Sequence, residues 1–343
     1  MDQFLTLKDL TSREGTDDVV GLIENVINVA PELDRIMGRP IPGLSYSARI
    51  RTAIAANGAF RDVNGGVSLS ASSYSQKRFR TFPFDTQMQV DEALIEEREA
   101  EGQSMASLLT EEAQGSLRAK ALVLGRQFYQ GTLNDAKGCP GLIDFLVTAR
   151  TMVDSRTGAK IDQTIEANGT TAYCENVWFV KQGPQGIHWL FGRGRGIYMN
   201  PWRPLPMAAA SGGWSTKWCA NLFGYIGLSM ANFHAVGAIM NVDVTNGTDY
   251  ASQNGGWDDK AVAALWAKFP ITEKPDIAFC SQNAAALLQK NRSVTNFVSG
   301  VDRNWTKGAA PVADFPTTLP TAGNIPLIVT DSIPVKQAKI TLS

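Results

Sequence analysis

The sequence predicts an α+β fold, and three observations carry that reading. A polar, basic, extended stretch occupies residues 45–84. A single long amphipathic helix is expected over 104–130. Beyond Gly131 the texture changes to short β-branched and aromatic runs broken by Gly and Pro, and all eight tryptophans fall between Trp178 and Trp305. No internal repeat or low-complexity tail interrupts this order, and the domains are expected to be interleaved and discontinuous.

The first 44 residues read as an arm. Asp17-Asp18 cap a short helix whose apolar face is Val19, Val20, Ile23, Val26 and Ile27. Pro40, Pro42 and Gly43 then break the chain. From Ser45 to Phe84, Arg49, Arg51, Arg61, Lys77, Arg78 and Arg80 face one acid, Asp62. Asp62-Val63-Asn64-Gly65-Gly66-Val67 at its middle is turn chemistry, and Asn-Gly between extended runs is a strong hairpin signal. Each limb would reach roughly 50 Å at 3.3 Å per residue. A lone two-stranded hairpin is marginal in water, and Ser68–Ser75 offers little to bury. Such an arm is ordered only where another surface holds it.

From Asp85 to Glu101 the charge inverts, with Asp85, Asp91, Glu92, Glu96, Glu97, Glu99 and Glu101 facing only Arg98. This segment reads as an acidic turn leading into the helix. Ser104 supplies an N-cap, and Met105, Leu108, Leu109, Ala113, Leu117, Ala121, Leu124 and Phe128 make one apolar stripe. Glu111 and Glu112 near its start, with Arg118, Lys120 and Arg126 toward its end, suit the helix dipole. Gly131 is the expected stop. Ser104–Gln130 would span about 40 Å at 1.5 Å per residue, long enough to act as a strut.

Farther on, Glu175–Gln182 and Ile187–Phe191 alternate across Gly183-Pro184-Gln185-Gly186 and read as a β-hairpin. Trp214–Val244 is strand-rich, with Gly224, Gly227 and Gly237 marking bulges or close packing. Asp258 caps a helix over Lys260–Phe269, Asp276–Cys280 is a buried strand, and Ser281 caps a helix running to Asn291. A linker with Pro311, Pro316 and Pro320 leads to a closing strand, Ile325–Thr330.

At 343 residues the chain is long enough for about two domains. Its 44% hydrophobic and 19% charged composition is that of a globular protein. A net charge of -1 gives no global attraction to nucleic acid or membrane, so any electrostatic recognition must be local. No membrane-spanning run or secretory signal is expected, which makes the sequons at Asn168, Asn246, Asn291 and Asn304 coincidental. Cys139, Cys174, Cys219 and Cys280 are scattered without a Cys-x-x-Cys, so reduced buried thiols are expected rather than zinc or disulfides.

The pattern for catalysis is missing. The two histidines, His188 and His234, lie in strand-like aromatic segments and read as structural. Nucleophile elbows, Walker loops and His-Glu-x-x-His motifs are absent from the sequence. Gly192-Arg193-Gly194-Arg195-Gly196 has the wrong glycine spacing for a dinucleotide loop and precedes Pro201 and Pro204 instead of a helix. Asp258-Asp259 is a capping pair, and the carboxylates of 91–101 form a solvated or partner-facing patch. No catalytic residue, cofactor or metal site is expected.

Two stretches carry a resemblance to a known family. Ala59-Phe-Arg-Asp-Val-Asn-Gly-Gly66 resembles an extended-loop motif, and Gly125–Leu146, with Phe128-Tyr129-Gln130-Gly131 and Gly138-Cys139-Pro140-Gly141-Leu142, resembles the exit of a spine helix. Glu175–Gln182 and Trp214–Val242 agree more loosely. In this order and spacing the chain resembles the major capsid proteins of tailed bacteriophages, the Hong Kong 97-type fold. The resemblance implies an N-arm over 1–44 and an extended β-hairpin loop over 45–84. A peripheral domain would combine 85–145 with about 210–245 and contain the spine helix 104–130. An axial domain with closing strands would come from about 146–209 and 246–343, with Lys260–Phe269 and Ser281–Asn291 nearest the five-fold and six-fold axes. Asn232–Ala238 departs from an Arg-rich strand found in many relatives.

The implied function is a structural protein that assembles through pentamers and hexamers into an icosahedral head around double-stranded DNA. It would reside in the virion after assembly in the bacterial cytoplasm. Implied partners are other copies of the chain, a separate scaffolding protein, a portal, decoration proteins and non-specifically held DNA, without a membrane. The expected inter-subunit contacts join Arg49, Arg51, Arg61, Lys77, Arg78 and Arg80 to Glu92, Glu96 and Glu97. Alternatives are an encapsulin-like compartment shell, another ring protein of the virion, or an enzyme with a mobile basic arm.

Overall fold

A computed structural model describes residues 30–55, 60–66, 69–100, 102, 104–154, 157–208, 212–247, 254–291, 321–322, 325–334 and 337–342. The helix expected near Asp17–Ile27 and the linker expected through Pro311, Pro316 and Pro320 lie outside them. In chain order, α1 (Glu32–Arg35) and β1 (Gly38–Pro40) precede a two-stranded arm, β2 (Ser45–Ala53) and β3 (Ser73–Arg80). β4 (Phe82–Asp91) runs into α2 (Glu92–Ala100), α3 (Met105–Gln130) and α4 (Leu142–Ala149). Next come β5 (Thr164–Glu166), β6 (Cys174–Val180), β7 (Ile187–Phe191), β8 (Tyr198–Met199), β9 (Arg203–Ala208), β10 (Trp214–Met230) and β11 (Val236–Asp243). The described chain closes with α5 (Asp259–Lys268), β12 (Ile277–Cys280), α6 (Gln282–Asn291), β13 (Thr321–Ala322) and β14 (Ile325–Val329).

β10 organises the first sheet. One of its edges pairs antiparallel with β4, and the other pairs in succession with β9, β8 and β7. β1 adds to β7 in parallel. The second sheet has the order β13-β14-β12-β6-β11-β5. The hairpin expected between β6 and β7 is therefore corrected, because the two strands enter different sheets and share only a bridge between Gln182 and Ile187. The physical reason is burial on both faces: Cys174–Val180 and Ile187–Leu190 are buried at every position, as central strands are and a surface hairpin is not.

Three further expectations change. The arm ends at Arg80, since Phe82–Asp91 is a strand of the first sheet rather than loop. The acidic segment is the end of that strand plus helix α2, not a turn. Sheet membership also cuts across the expected domain limits: β6 and β11 share the second sheet, while β7 to β10 share the first. His234 lies in the turn before β11, where its Nδ1 is 3.1 Å from Gln163 Nε2.

Local sequence accounts for the helix ends. Ser104 Oγ accepts from the Ser107 N–H at 3.3 Å, and Asp258 accepts from Lys260 and Ala261 at 2.9 and 3.0 Å. Ser281 Oγ accepts from the Ala284 N–H at 3.1 Å to start α6. Gly131 ends α3 with φ of 54°, and a side chain there would meet Asp144 and the Gly141 backbone. Gly227 and Gly237 are close-approach glycines, facing the Arg80 carbonyl and the Phe269 ring.

The long helix is a strut fastened at its two ends. Leu108 and Leu109 pack with Val90, Leu94 and Ile95. Leu124, Phe128 and Tyr129 enter the main core with Trp178, Trp189 and Phe279. Leu117 between them is 42% exposed, so the apolar stripe read from sequence is interrupted where no described residue covers it.

Glu32 locks the N-terminal segment onto this strut. Its carboxyl is fully buried, accepting from Thr330 Oγ1 at 2.9 Å and Tyr129 OH at 3.4 Å, with Ser332 alongside. Trp189 Nε1 donates to its backbone carbonyl at 3.3 Å. Gly125 makes the room: a methyl there would collide with the Glu32 carboxyl and the Ser332 hydroxyl. Burial raises the Glu32 pKa, and burial, aided by the neighbouring Glu32, pushes the Tyr129 hydroxyl well above its ordinary value.

Two predictions follow from this lock. Gly125→Ala gains about 1 kcal/mol of helix propensity but overpacks the carboxyl site, at a cost of about 1–3 kcal/mol. Urea unfolding of the unassembled subunit should therefore show net destabilisation, and Glu32→Ala should reduce that penalty in the double variant. For Glu32 the folded-state pKa lies above the unfolded one, so its protonated form favours folding at low pH. That contribution is lost as pH rises from the ordinary glutamate range through the folded value. Glu32→Gln should flatten this part of the stability–pH profile and gain on the wild type as pH increases. Identical wild-type and variant profiles would refute the lock.

Candidate assembly interface

The β2–β3 ladder sorts the basic residues by face. Its register pairs Ser45 with Arg80, Ser47 with Arg78, Arg49 with Gln76 and Arg51 with Tyr74. Side chains alternate along strands, so Arg49, Arg51, Arg78 and Arg80 share one exposed face. Arg78 Nη2 donates to Ser45 Oγ at 2.8 Å, and the Arg51 guanidinium sits 5.5 Å from the Tyr74 ring centroid. Arg61 belongs to the distal turn. There the Gly65 N–H donates to the Asp62 carbonyl at 2.9 Å, Asn64 has φ of 67°, and Arg61 Nη1 donates to the Gly65 carbonyl at 2.9 Å. The Asn-Gly signal thus marks the turn, although the ladder itself ends at Ala53 and Ser73. Phe60, Val63 and Leu69 around this turn are fully exposed.

Lys77 points the other way, with Ala48 opposite it in the register. Its Nζ lies 5.3 Å from the Phe79 ring centroid, 5.3 Å from Phe145 and 5.0 Å from Phe233. Phe145 and Phe233 are stacked at 6.0 Å. Burial lowers the Lys77 pKa, because the ammonium has exchanged water for ring faces. Lys77 therefore fastens the arm base to its own subunit, whereas the sequence grouped it with the outward arginines. Phe145 and Phe233 lie far from it in sequence, so no local signal announces the cage. Ile41, Ala48, Phe79 and Leu190 form a second clasp beneath the arm.

The acidic residues lie on α2. Glu96, Glu97 and Glu99 are exposed and Glu92 is half-buried. Arg98 is turned inward, 3.8 Å from Glu111, which leaves the outer surface of the helix acidic. One subunit thus displays a basic face on its arm and an acidic helix at the foot of its strut. Among the described residues no group of His, Cys, Asp and Glu is arranged to hold a metal ion, and no helix is long and apolar enough to cross a membrane.

Comparison with known proteins gives this architecture its class. A chain in the structure of bacteriophage Epsilon15 superposes with a TM-score of 0.67 at 16% identity, covering 100% of this chain and 98% of that one. More distant likenesses include the holo-SrpI encapsulin complex of Synechococcus elongatus PCC 7942, with TM-score 0.43, 10% identity and coverage of 71% and 98%. Another is the procapsid of bacteriophage JBD30, with TM-score 0.43, 11% identity and coverage of 90% and 93%. No curated protein matches the sequence. The fold is the Hong Kong 97-like α+β fold of phage shell proteins. The model of the family "Major capsid protein GP7" matches residues 43–310, and the chain belongs to that family. It is a structural protein of an icosahedral capsid shell.

The cage has a measurable consequence. Replacing Lys77 with Ala removes contacts worth about 0.5–2 kcal/mol, and amides of β2 and β3 should then exchange faster in the unassembled subunit. Lys77→Arg should retain most of the protection. Unchanged exchange in Lys77→Ala would show that the Phe79 clasp suffices.

Proposed function

We propose that the chain builds the phage head as pentamers and hexamers around packaged double-stranded DNA, with its arm clamped on a neighbouring subunit. The observation that carries this reading is the sided arm: four arginines on one face, aromatic anchorage on the other, and an uncovered apolar tip. In this reading residues up to about 44 are the N-arm and 45–80 the extended loop. The first sheet with α2 and α3 forms the peripheral domain, and the second sheet with α5 and α6 forms the axial domain. A separate scaffolding protein, a portal and decoration proteins complete the particle, which assembles in the host cytoplasm.

Arg49, Arg51, Arg61, Arg78 and Arg80 contact the acidic helix of an adjacent copy, with Glu92, Glu96 and Glu97 as partners. Exposed ion pairs give only about 0.2–1 kcal/mol each. A closed shell repeats them in every copy, so multivalent engagement turns weak pairs into a stable lattice.

Electron microscopy of the purified protein, expressed with and without its neighbouring viral genes, tests the assembly. Closed icosahedral particles containing DNA are expected in the complete context; particles holding a protein cargo would indicate a compartment, and monomers or small rings in both would refute the shell. Arg78→Glu with Arg80→Glu should lower particle yield and salt tolerance while leaving the subunit's thermal unfolding unchanged. Restoration by Glu96→Arg with Glu97→Arg would identify the acidic partner.

A further inference from the structure

The corner of the first sheet around β8 to β10 carries a surface unrelated to the arm. Residues 193–214 contain Arg193, Arg195 and Arg203, Tyr198, Met199, Met207, Trp202 and Trp214, and no Asp, Glu or Lys. That composition, rich in Arg, aromatics and Met and poor in Lys and acids, distinguishes interface centres from ordinary surface. Trp202 and Trp218 of this corner pack against the Val90, Leu94, Ile95, Leu108 and Leu109 cluster. Trp214, at the start of β10, is 77% exposed. Tyr198, Met199 and Leu205 are each exposed by about two-fifths as well. β9 pairs with β10 through Leu205 opposite Lys217, with Pro204 and Pro206 on either side. Prolines lack N–H donors, so side chains rather than strand addition must make any contact here.

A fitting receptor exists on the same chain. Where α2 meets α3, a notch of about 540 Å³ is lined by Glu99, Gly102, Ser104, Met105, Ala106 and Leu109. Its lining is mostly apolar, and Glu99 is its acidic member.

We propose that Trp214 of one copy seats in the α2–α3 notch of a second copy, with Arg203 against the Glu99 side of the rim. This contact rests on the shell reading and specifies a second lattice contact, made by the β9–β10 corner instead of the arm. The occupant is a second copy because complementary charge and an apolar anchor meet an apolar notch, both supplied by this one sequence. Such a contact is heterologous: each subunit offers the tryptophan to one neighbour and the notch to another, which propagates around a shell. A buried tryptophan anchor in an interface typically dominates its energy.

The test uses full-length protein assembled into particles. Trp214→Ala should leave the subunit's thermal unfolding unchanged, since the ring is exposed there, while particles dissociate at clearly lower denaturant than wild type. Trp214→Cys combined with Ala106→Cys should give a reducible ladder of covalent oligomers in oxidised particles, absent from either single variant. Particles of wild-type yield and stability for Trp214→Ala overturn the anchor. Intact double-cysteine particles without the ladder overturn the notch as its seat. In both cases the shell reading survives, whereas failure of the unmodified chain to form particles overturns that reading together with this contact.

Discussion

The fold depends on one aromatic junction at the end of the long helix. Phe128 meets Trp189 of the first sheet at 5.4 Å and Phe279 of the second at 6.2 Å. Tyr129 lies 6.1 Å from Trp178 and 6.0 Å from Phe279, both in the second sheet. Two consecutive residues of one helix therefore hold both sheets: Phe128 touches each of them, and Tyr129 adds to its contact with the second. The same turn of α3 receives Glu32 across Gly125. Sheets, strut and N-terminal segment converge within one helical turn, and a shift there would be felt by all three.

From that junction the strut extends outward with an uncovered middle, and its far end is refastened by Leu108 and Leu109. A helix of 26 residues packed at Leu108, Leu109 and Ala113 and again from Leu124 to Tyr129 links one contact cluster to the other. The acidic α2 sits where the strut begins, at the opposite end of the helix from the aromatic junction.

Much of this was legible in the sequence for local reasons. Ser104, Asp258 and Ser281 declared helix starts because a capping side chain acts within three residues. Gly131 declared a stop because its left-handed backbone excludes other residues. The Asn64-Gly65 turn and the charge inversion after residue 84 were equally local. Long-range facts were not legible. Ile187–Leu190 alternates like a hairpin strand, yet its burial on both faces depends on β10 and β1, which are remote in sequence. Lys77 reads as one more arm cation until Phe145 and Phe233 arrive from two other elements. Glu32 and Gly125 have no meaning apart, since one is a buried acid only because the other lacks a side chain.

Strand alternation settles what the arm is able to do. A segment with six cations and one acid would repel itself if all its charges shared one surface. Register places Lys77 and Phe79 inward, where rings replace water around the ammonium, and leaves four arginines outward. A one-residue slip of β3 would exchange its faces, exposing Phe79 and burying Arg78 without a counter-charge, at a cost far above any single arginine contact. The aromatic cage therefore fixes the register as well as the attachment. It is this fixed register that turns the basic face away from the aromatic cage and the clasp beneath the arm.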